Sequence, residues 1–164
     1  GNLFQNKLLV REVVRLSGAS EGKRIIEGFA GAGNLTIPLA DAGATVEAVE
    51  SHPGAIRMAI RNRQRSKCAE RITIIESDAL KELGKLAPNP DVLVIDPPRT
   101  GMPTLAAALS KLNPGCVVYV ACDMEALRRD ALSLAKAGYK PIEVVGIDLY
   151  PRTHHVEAIV KFER

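Results

Sequence analysis

GCVVYVACDMEALRRD, residues 115–130, decides how this chain is read. Residues 116–121 form an uninterrupted apolar, β-branched run bounded by Pro114-Gly115, the pattern of a strand buried on both faces of a parallel sheet. The run delivers Cys122 to the strand's end, and a helix is expected to start at once with Asp123 as its N-cap. In such sheets, ligands collect outside the carboxyl ends of the strands. A thiol in that place, beside a helix N-terminus that favours its thiolate, is a candidate nucleophile. A small buried hydrophobe is the competing reading of the same residue.

Outward from this stretch, strand and helix patterns alternate. Residues 4–16 carry apolar positions at helical spacing and stop at Gly18. A strand over 23–29 runs into a glycine-rich turn at 30–34 and a helix over 35–41. A strand over 45–50 precedes a helix from Pro53 to about residue 66, with proline at the first turn, where its missing N–H costs little. A third strand over 71–76 leads to a short helix toward residue 86. The fourth, DVLVID at 91–96, is ended by Pro97-Pro98, which hold Asp96 extended. Helices over 103–112 and to residue 137 flank the opening strand. The last two strands, 141–148 and 155–162, have too few residues between them for a crossover and must pair antiparallel. The expectation is a single α/β domain over residues 1–164: a doubly wound, mostly parallel seven-stranded sheet with an antiparallel last strand.

Composition narrows the class. At 46% hydrophobic and 25% charged residues, the chain can bury a core and is neither fibrous nor disordered in type. Its three cysteines, at 68, 116 and 122, are odd in number and lack a CxxC spacing. Cys116 and Cys122 share one strand about 20 Å apart at about 3.3 Å per residue, too far to pair. A reducing, cytoplasmic location is therefore expected, with no disulfide framework and no metal site. No apolar run reaches membrane-spanning length and no secretory signal is seen, so no membrane partner is expected. The net charge of +3 permits a polyanionic partner without demanding one.

The turn AGAGNL, residues 30–35, leaves a strand and enters a helix, and Gly31 and Gly33 let the backbone approach a ligand at the positive helix end. Glu50 closes the second strand 19 residues after Gly31, the offset expected of an acid that holds ribose hydroxyls. A nucleotide-like cofactor follows. The dinucleotide fingerprint wants a third glycine where Thr36 stands, which weakens a nicotinamide reading. S-adenosyl-L-methionine fits better, because a reversed final strand belongs to its commonest enzyme fold. Asp78, after the third strand, is the next acid along the same edge and is expected at the adenine end or as a helix N-cap, two compatible roles.

The parallel fourth and fifth strands place Asp96 and Cys122 on one edge of the sheet, and the final hairpin brings His154, His155 and Glu157 to the same rim. An acid, a thiol and a carboxylate converge beside the cofactor turn. The motifs DPPRTG (96–101), YVACD (119–123) and YPRTHHVE (150–157), preceded by GAGN (31–34), resemble the RNA uracil-5-methyltransferase family, and the likeness runs in order from about Phe4 to the end. The resemblance implies a Rossmann-like class I methyltransferase fold that makes 5-methyluridine in ribosomal or transfer RNA from S-adenosyl-L-methionine. It implies Cys122 attacking carbon 6 of a uracil and Glu157 removing the carbon 5 proton. It also implies Asp96, Pro97 and Arg99 shaping the uracil pocket, with His155 at the substrate. Gln5, Glu27, Gly31, Gly33, Glu50, Asp78 and Asp96 would hold the cofactor. A thiol at the sheet edge reaches only a flipped or single-stranded uridine.

The sequence departs from the family's pattern at Glu27, Ala121 and Met124, where the family usually has Asp, Ser and Pro, and FQN at 4–6 is one residue tighter than usual. Members usually carry N-terminal RNA-binding segments, so the chain reads as a catalytic core. Arg57, Arg61, Arg63, Arg65, Lys67 and Arg71 concentrate charge on and after one helix, as a phosphate contact or as a solvated face. Two other functions stay open. One is methylation of an exocyclic amine, whose enzymes usually place an aromatic residue where Arg99 stands and need no cysteine. The other is an inactive S-adenosyl-L-methionine-binding module that serves RNA binding or assembly.

Overall fold

The computed structural model describes residues 3–148 and 156–164. Its elements run α1 (Leu3–Ser17), β1 (Arg24–Gly28), α2 (Thr36–Asp41), β2 (Thr45–Glu50), α3 (Pro53–Arg65), β3 (Ile72–Glu76), α4 (Ala79–Glu82), β4 (Val92–Ile95), α5 (Leu105–Leu112), β5 (Cys116–Ala121), α6 (Met124–Lys136), β6 (Lys140–Ile147) and β7 (Glu157–Glu163). The strands form one seven-stranded sheet in the order β3-β2-β1-β4-β5-β7-β6. The first five are mutually parallel, and β7 pairs antiparallel with both β5 and β6. The expected Rossmann-like class I fold is borne out, with β7 as the reversed strand.

Sequence pattern explains why the sheet is covered on both faces. Every residue of β4 and β5 is buried, and Val117, Val118 and Val120 are fully so; each such valine contributes about 1.5–3 kcal/mol. On one face, β1 and β5 side chains pack with Leu9, Val13 and Leu16 of α1 and with Leu39 and Ala40 of α2. On the other, Ile95 and Tyr119 pack with Leu105 and Leu109 of α5 and Leu134 of α6. The helices bury single stripes, as the spacing of Leu9, Val13 and Leu16 requires. Pro141, which cannot donate to a ladder, sits on edge strand β6, where the pairing register shifts.

Strand order reverses between β1 and β4, so the loops after these strands open a cleft at the carboxyl edge. Several elements begin or end a residue or two away from where periodicity placed them. Strand β1 stops at Gly28 because Phe29 turns into the left-handed region at φ +63°, a conformation that cannot continue a strand. Helix α5 starts at Leu105 rather than residue 103, because the Leu105 N–H donates to the Met102 carbonyl and residues 103–104 form a turn first.

Candidate active site

The glycine turn is built around an acid. Gly31 and Gly33 have φ of +59° and +88°, which an L side chain would strain. Glu50, at the end of β2, accepts from the Gly31 N–H at 2.7 Å through one oxygen. Its other oxygen accepts from the Ser51 and His52 N–H groups at 2.8 and 2.7 Å. The carboxylate is thereby fixed at the strand end beside the turn. Asn62 on α3 braces the turn from behind, donating to the Ala32 carbonyl at 3.0 Å. Asn6 and Asn34 exchange two side-chain hydrogen bonds of 3.0 Å, which bring the N-terminal end of α1, and with it half-buried Gln5, to the turn.

Glu27 lies beneath, one residue before the end of β1 and 2% exposed. Thr36, at the place of the missing third glycine, donates its hydroxyl to Glu27 at 2.5 Å. Burial pushes the Glu27 carboxyl up to about 8, with the charges of Asp96 and Glu50 adding and the Thr36 hydrogen bond opposing. Asp78 follows β3 on the same edge, where its carboxylate caps α4 by accepting from the Leu80 N–H at 2.9 Å.

On the other side of the cleft stand Asp96, Cys122 and Glu157. Strand β4 pairs with β5 up to Ile95 and Tyr119; Asp96 follows the end of β4, and Cys122 follows the end of β5 at Ala121. Ala121 faces Ala158 across the β5–β7 ladder, so continuing the register by one residue sets Cys122 opposite Glu157. The electrostatics agree with that placement. Burial pushes the Cys122 thiol up, and the charges of Glu157 and Asp96 push it further, while its own backbone N–H and Arg99 pull the other way. Burial likewise raises Glu157. Asp96 is open to solvent at the cleft, yet the protein packed around it and the charge of Glu157 push it up to about 7. The helix start after Cys122 does not leave the thiol acidified, as the sequence suggested; burial and two carboxylates outweigh it. Asp123 is the N-cap of α6 as expected, accepting from the Ala126 N–H at 2.8 Å.

Pro97 is buried and Arg99 exposed on the loop after β4. His154 and His155 lie outside the described residues. The arrangement gathers a thiol, two carboxyls that burial raises, and a glycine turn with a fixed acceptor, all on one edge.

The model of the TRM5/TYW2 methyltransferase domain matches residues 3–144. The chain belongs to that methyltransferase domain family. Relatives of this domain bear out the motif resemblance. It is 34% identical to the 23S rRNA (uracil(1939)-C(5))-methyltransferase RlmD of Shewanella woodyi and 37% identical to that of Aromatoleum aromaticum, over 99% of the chain in each case. It also matches the crystal structure of the tRNA (uracil-54, C5)-methyltransferase of Pyrococcus abyssi in complex with S-adenosyl-L-homocysteine, with a TM-score of 0.82, 32% identity and 99% of the chain covered. The methyltransferase domain spans 38–39% of the length of these three relatives.

Within this domain, the departures from the uracil-5-methyltransferase pattern acquire a physical reading. Met124 occupies the first helical position of α6, where proline is favoured for its preset φ but a good helix former serves equally. Ala121 is buried in the ladder opposite Ala158. Of the basic residues, Arg57, Arg61, Arg65 and Lys67 are exposed, whereas Arg63 and Arg71 donate to the carbonyls of Ala69 and Ala40. Sequence reasoning missed Asn62, Thr36 and the Asn6–Asn34 pair. It also missed Asp130, although a readable signal was present: an acid at the centre of the Ala126-Asp130-Leu134 stripe that α6 buries.

Proposed function

We propose that this chain transfers a methyl group from S-adenosyl-L-methionine to carbon 5 of a uridine in RNA. Support comes first from the convergence of Cys122, Glu157 and Asp96 on the edge that carries the glycine turn. The names of the relatives are consistent with it, and two of them favour ribosomal RNA over transfer RNA.

The residues present fit the cofactor. It carries two positive charges, on its sulfonium and amino groups, and the cleft gathers Glu27, Glu50 and Asp96. Glu50 offers acceptors for ribose hydroxyls, Gly31 and Gly33 allow close backbone approach, and Asp78 stands where an adenine end would lie. Glu27 and Asp96 face the amino-acid end, and Gln5 closes the side toward α1. When bound, the cofactor supplies an electrophilic methyl group.

Uracil carbon 5 is too weak a nucleophile to take that methyl unaided, and covalent addition removes the difficulty. Cys122 is partly exposed, so its thiol gives its proton to solvent; the thiolate adds to carbon 6, and the electron pair of the 5,6 double bond moves to carbon 5 and the carbon 4 oxygen. Carbon 5 would then take the methyl that the bound cofactor supplies, the methyl–sulfonium bond breaking to leave a neutral thioether. Glu157 accepts the carbon 5 proton, and the freed pair re-forms the double bond and expels Cys122 as thiolate. Asp96, Pro97 and Arg99 line the pocket for the base, which must leave its stack to reach the thiol. Arg99 favours the thiolate against the two carboxylates. Free thiols at all three cysteines fit a reducing cytoplasm.

Ribosomal RNA containing 5-fluorouridine tests the reading, because fluorine at carbon 5 blocks the last step. With cofactor present, a covalent protein–RNA adduct is expected, lost in Cys122→Ser. Glu157→Gln should accumulate the methylated adduct on ordinary RNA. Cofactor binding with no adduct in the wild type would refute the mechanism and leave a binding module.

A further inference from the structure

Asp130 is 6% exposed and sits eight residues beyond Cys122, on the face of α6 that packs against the sheet. Its Oδ2 accepts two hydrogen bonds, from the Met102 N–H at 2.7 Å and from the Tyr119 hydroxyl at 2.6 Å. Tyr119 lies on β5, three residues before Cys122, and is 1% exposed. Met102 lies on the loop that carries Asp96, Pro97 and Arg99, and is also 1% exposed. One carboxylate oxygen therefore joins the nucleophile's strand, the helix that follows the nucleophile, and the loop from the neighbouring strand.

The loop is shaped to receive that oxygen. Gly101 has φ +73°, and a Cβ there would stand 2.8 Å from Asp130 Oδ2, so only glycine permits the approach. The Gly101 N–H donates to the Pro98 carbonyl at 2.8 Å, which folds the intervening residues into a turn. The neighbouring Arg129 reaches the Thr100 carbonyl at 3.4 Å. Two consecutive residues of α6 thus hold two nearly consecutive residues of the loop.

Burying a carboxylate is a poor way to gain stability, since its desolvation costs several kcal/mol before hydrogen bonds offset it. Two short, charge-assisted bonds to groups on different elements set geometry instead. We propose that Asp130 is a positioning residue: it fixes the Asp96–Met102 loop against β5 and α6, and so sets the uridine pocket at the distance from Cys122 that addition requires. This rests on the reading of Cys122, Asp96 and Arg99 as the uridine site. A misplacement of about 1 Å at a reacting centre costs about a hundredfold in rate.

The test compares Asp130→Asn, Asp130→Ala and Tyr119→Phe in this chain. Asparagine keeps an acceptor oxygen for both donors and should hold methylation and 5-fluorouridine adduct formation within about threefold of wild type. Alanine strands both donors and should lower kcat and the adduct rate by about 10- to 100-fold. Tyr119→Phe removes one bond and should fall between them, which covers the case in which Asp130→Ala fails to fold. Amide hydrogen exchange supplies a readout independent of chemistry: protection of residues 99–102 should be kept in Asp130→Asn and lost in Asp130→Ala, while β4 and β5 stay protected. An unchanged loop in Asp130→Ala, or Asp130→Asn as impaired as alanine, overturns the proposal whatever the adduct experiment says of Cys122.

Discussion

Replacing Glu27 by glutamine is expected to stabilise the protein at alkaline pH and leave it unchanged in acid. Glu27 is 2% exposed, and in the fold its carboxyl rises from an ordinary 4.5 to about 8. Burial is the main cause, and the neighbouring charges of Asp96 and Glu50 add to it. Below about pH 4.5, folded and unfolded chains both hold the proton, and the site contributes no difference. Between about 4.5 and 8 the unfolded chain has released its proton while the folded one retains it, so stability falls as pH rises through that window. Above about 8 both are ionised and the loss is complete.

The window spans about 3.5 units, and at about 1.36 kcal/mol per unit the loss is at most about 5 kcal/mol. Relaxation and water entry reduce this, and about 2 kcal/mol is the expected floor. Glutamine copies the protonated acid, and its carbonyl oxygen still accepts from Thr36 Oγ1. Urea and thermal unfolding at pH 5, 7 and 9 should therefore show Glu27→Gln matching wild type at pH 5. At pH 9 the variant should exceed it by about 2 kcal/mol or more, about 4–8 °C in Tm for a domain of this size. Two proteins that track each other across the range would refute a buried, neutral Glu27. The same substitution should weaken S-adenosyl-L-methionine binding, since the cofactor's cationic end loses a group able to ionise against it.

Two further outcomes are accessible. Glu50→Gln should weaken cofactor binding by about tenfold or more in calorimetry, about 1.4 kcal/mol, because an amide nitrogen would face N–H groups that the carboxylate now accepts from; an unchanged Kd removes Glu50 from the ribose role. Replacing Arg57, Arg61 and Arg65 together by glutamine should flatten the salt dependence of RNA binding by about 2 in log–log slope, with cofactor affinity intact; an unaltered slope makes that helix face a solvated one.

The positions of Cys122, Asp96 and Glu50 were legible because each ends a strand whose apolar run is unmistakable, and parallel strands put such ends on one edge. Asp123 and Pro53 announced helix starts by chemistry that acts within one turn. Glu157 needed one step more, the inference that a short connection forces an antiparallel pair.

What stayed hidden has a common physical character. Asp130 binds Met102, 28 residues away, and Asn6 binds Asn34 across the same separation; no local pattern encodes either contact. The acidity of Cys122 was misjudged from the sequence because the helix beside it is local, while the desolvation and the Glu157 and Asp96 charges that dominate come from three other parts of the chain. Short-range order therefore determined the elements and placed the chemical groups on one edge. Which protons those groups hold, and how firmly the loop facing Cys122 is held, depend on burial and long-range hydrogen bonds that exist only once the sheet has closed.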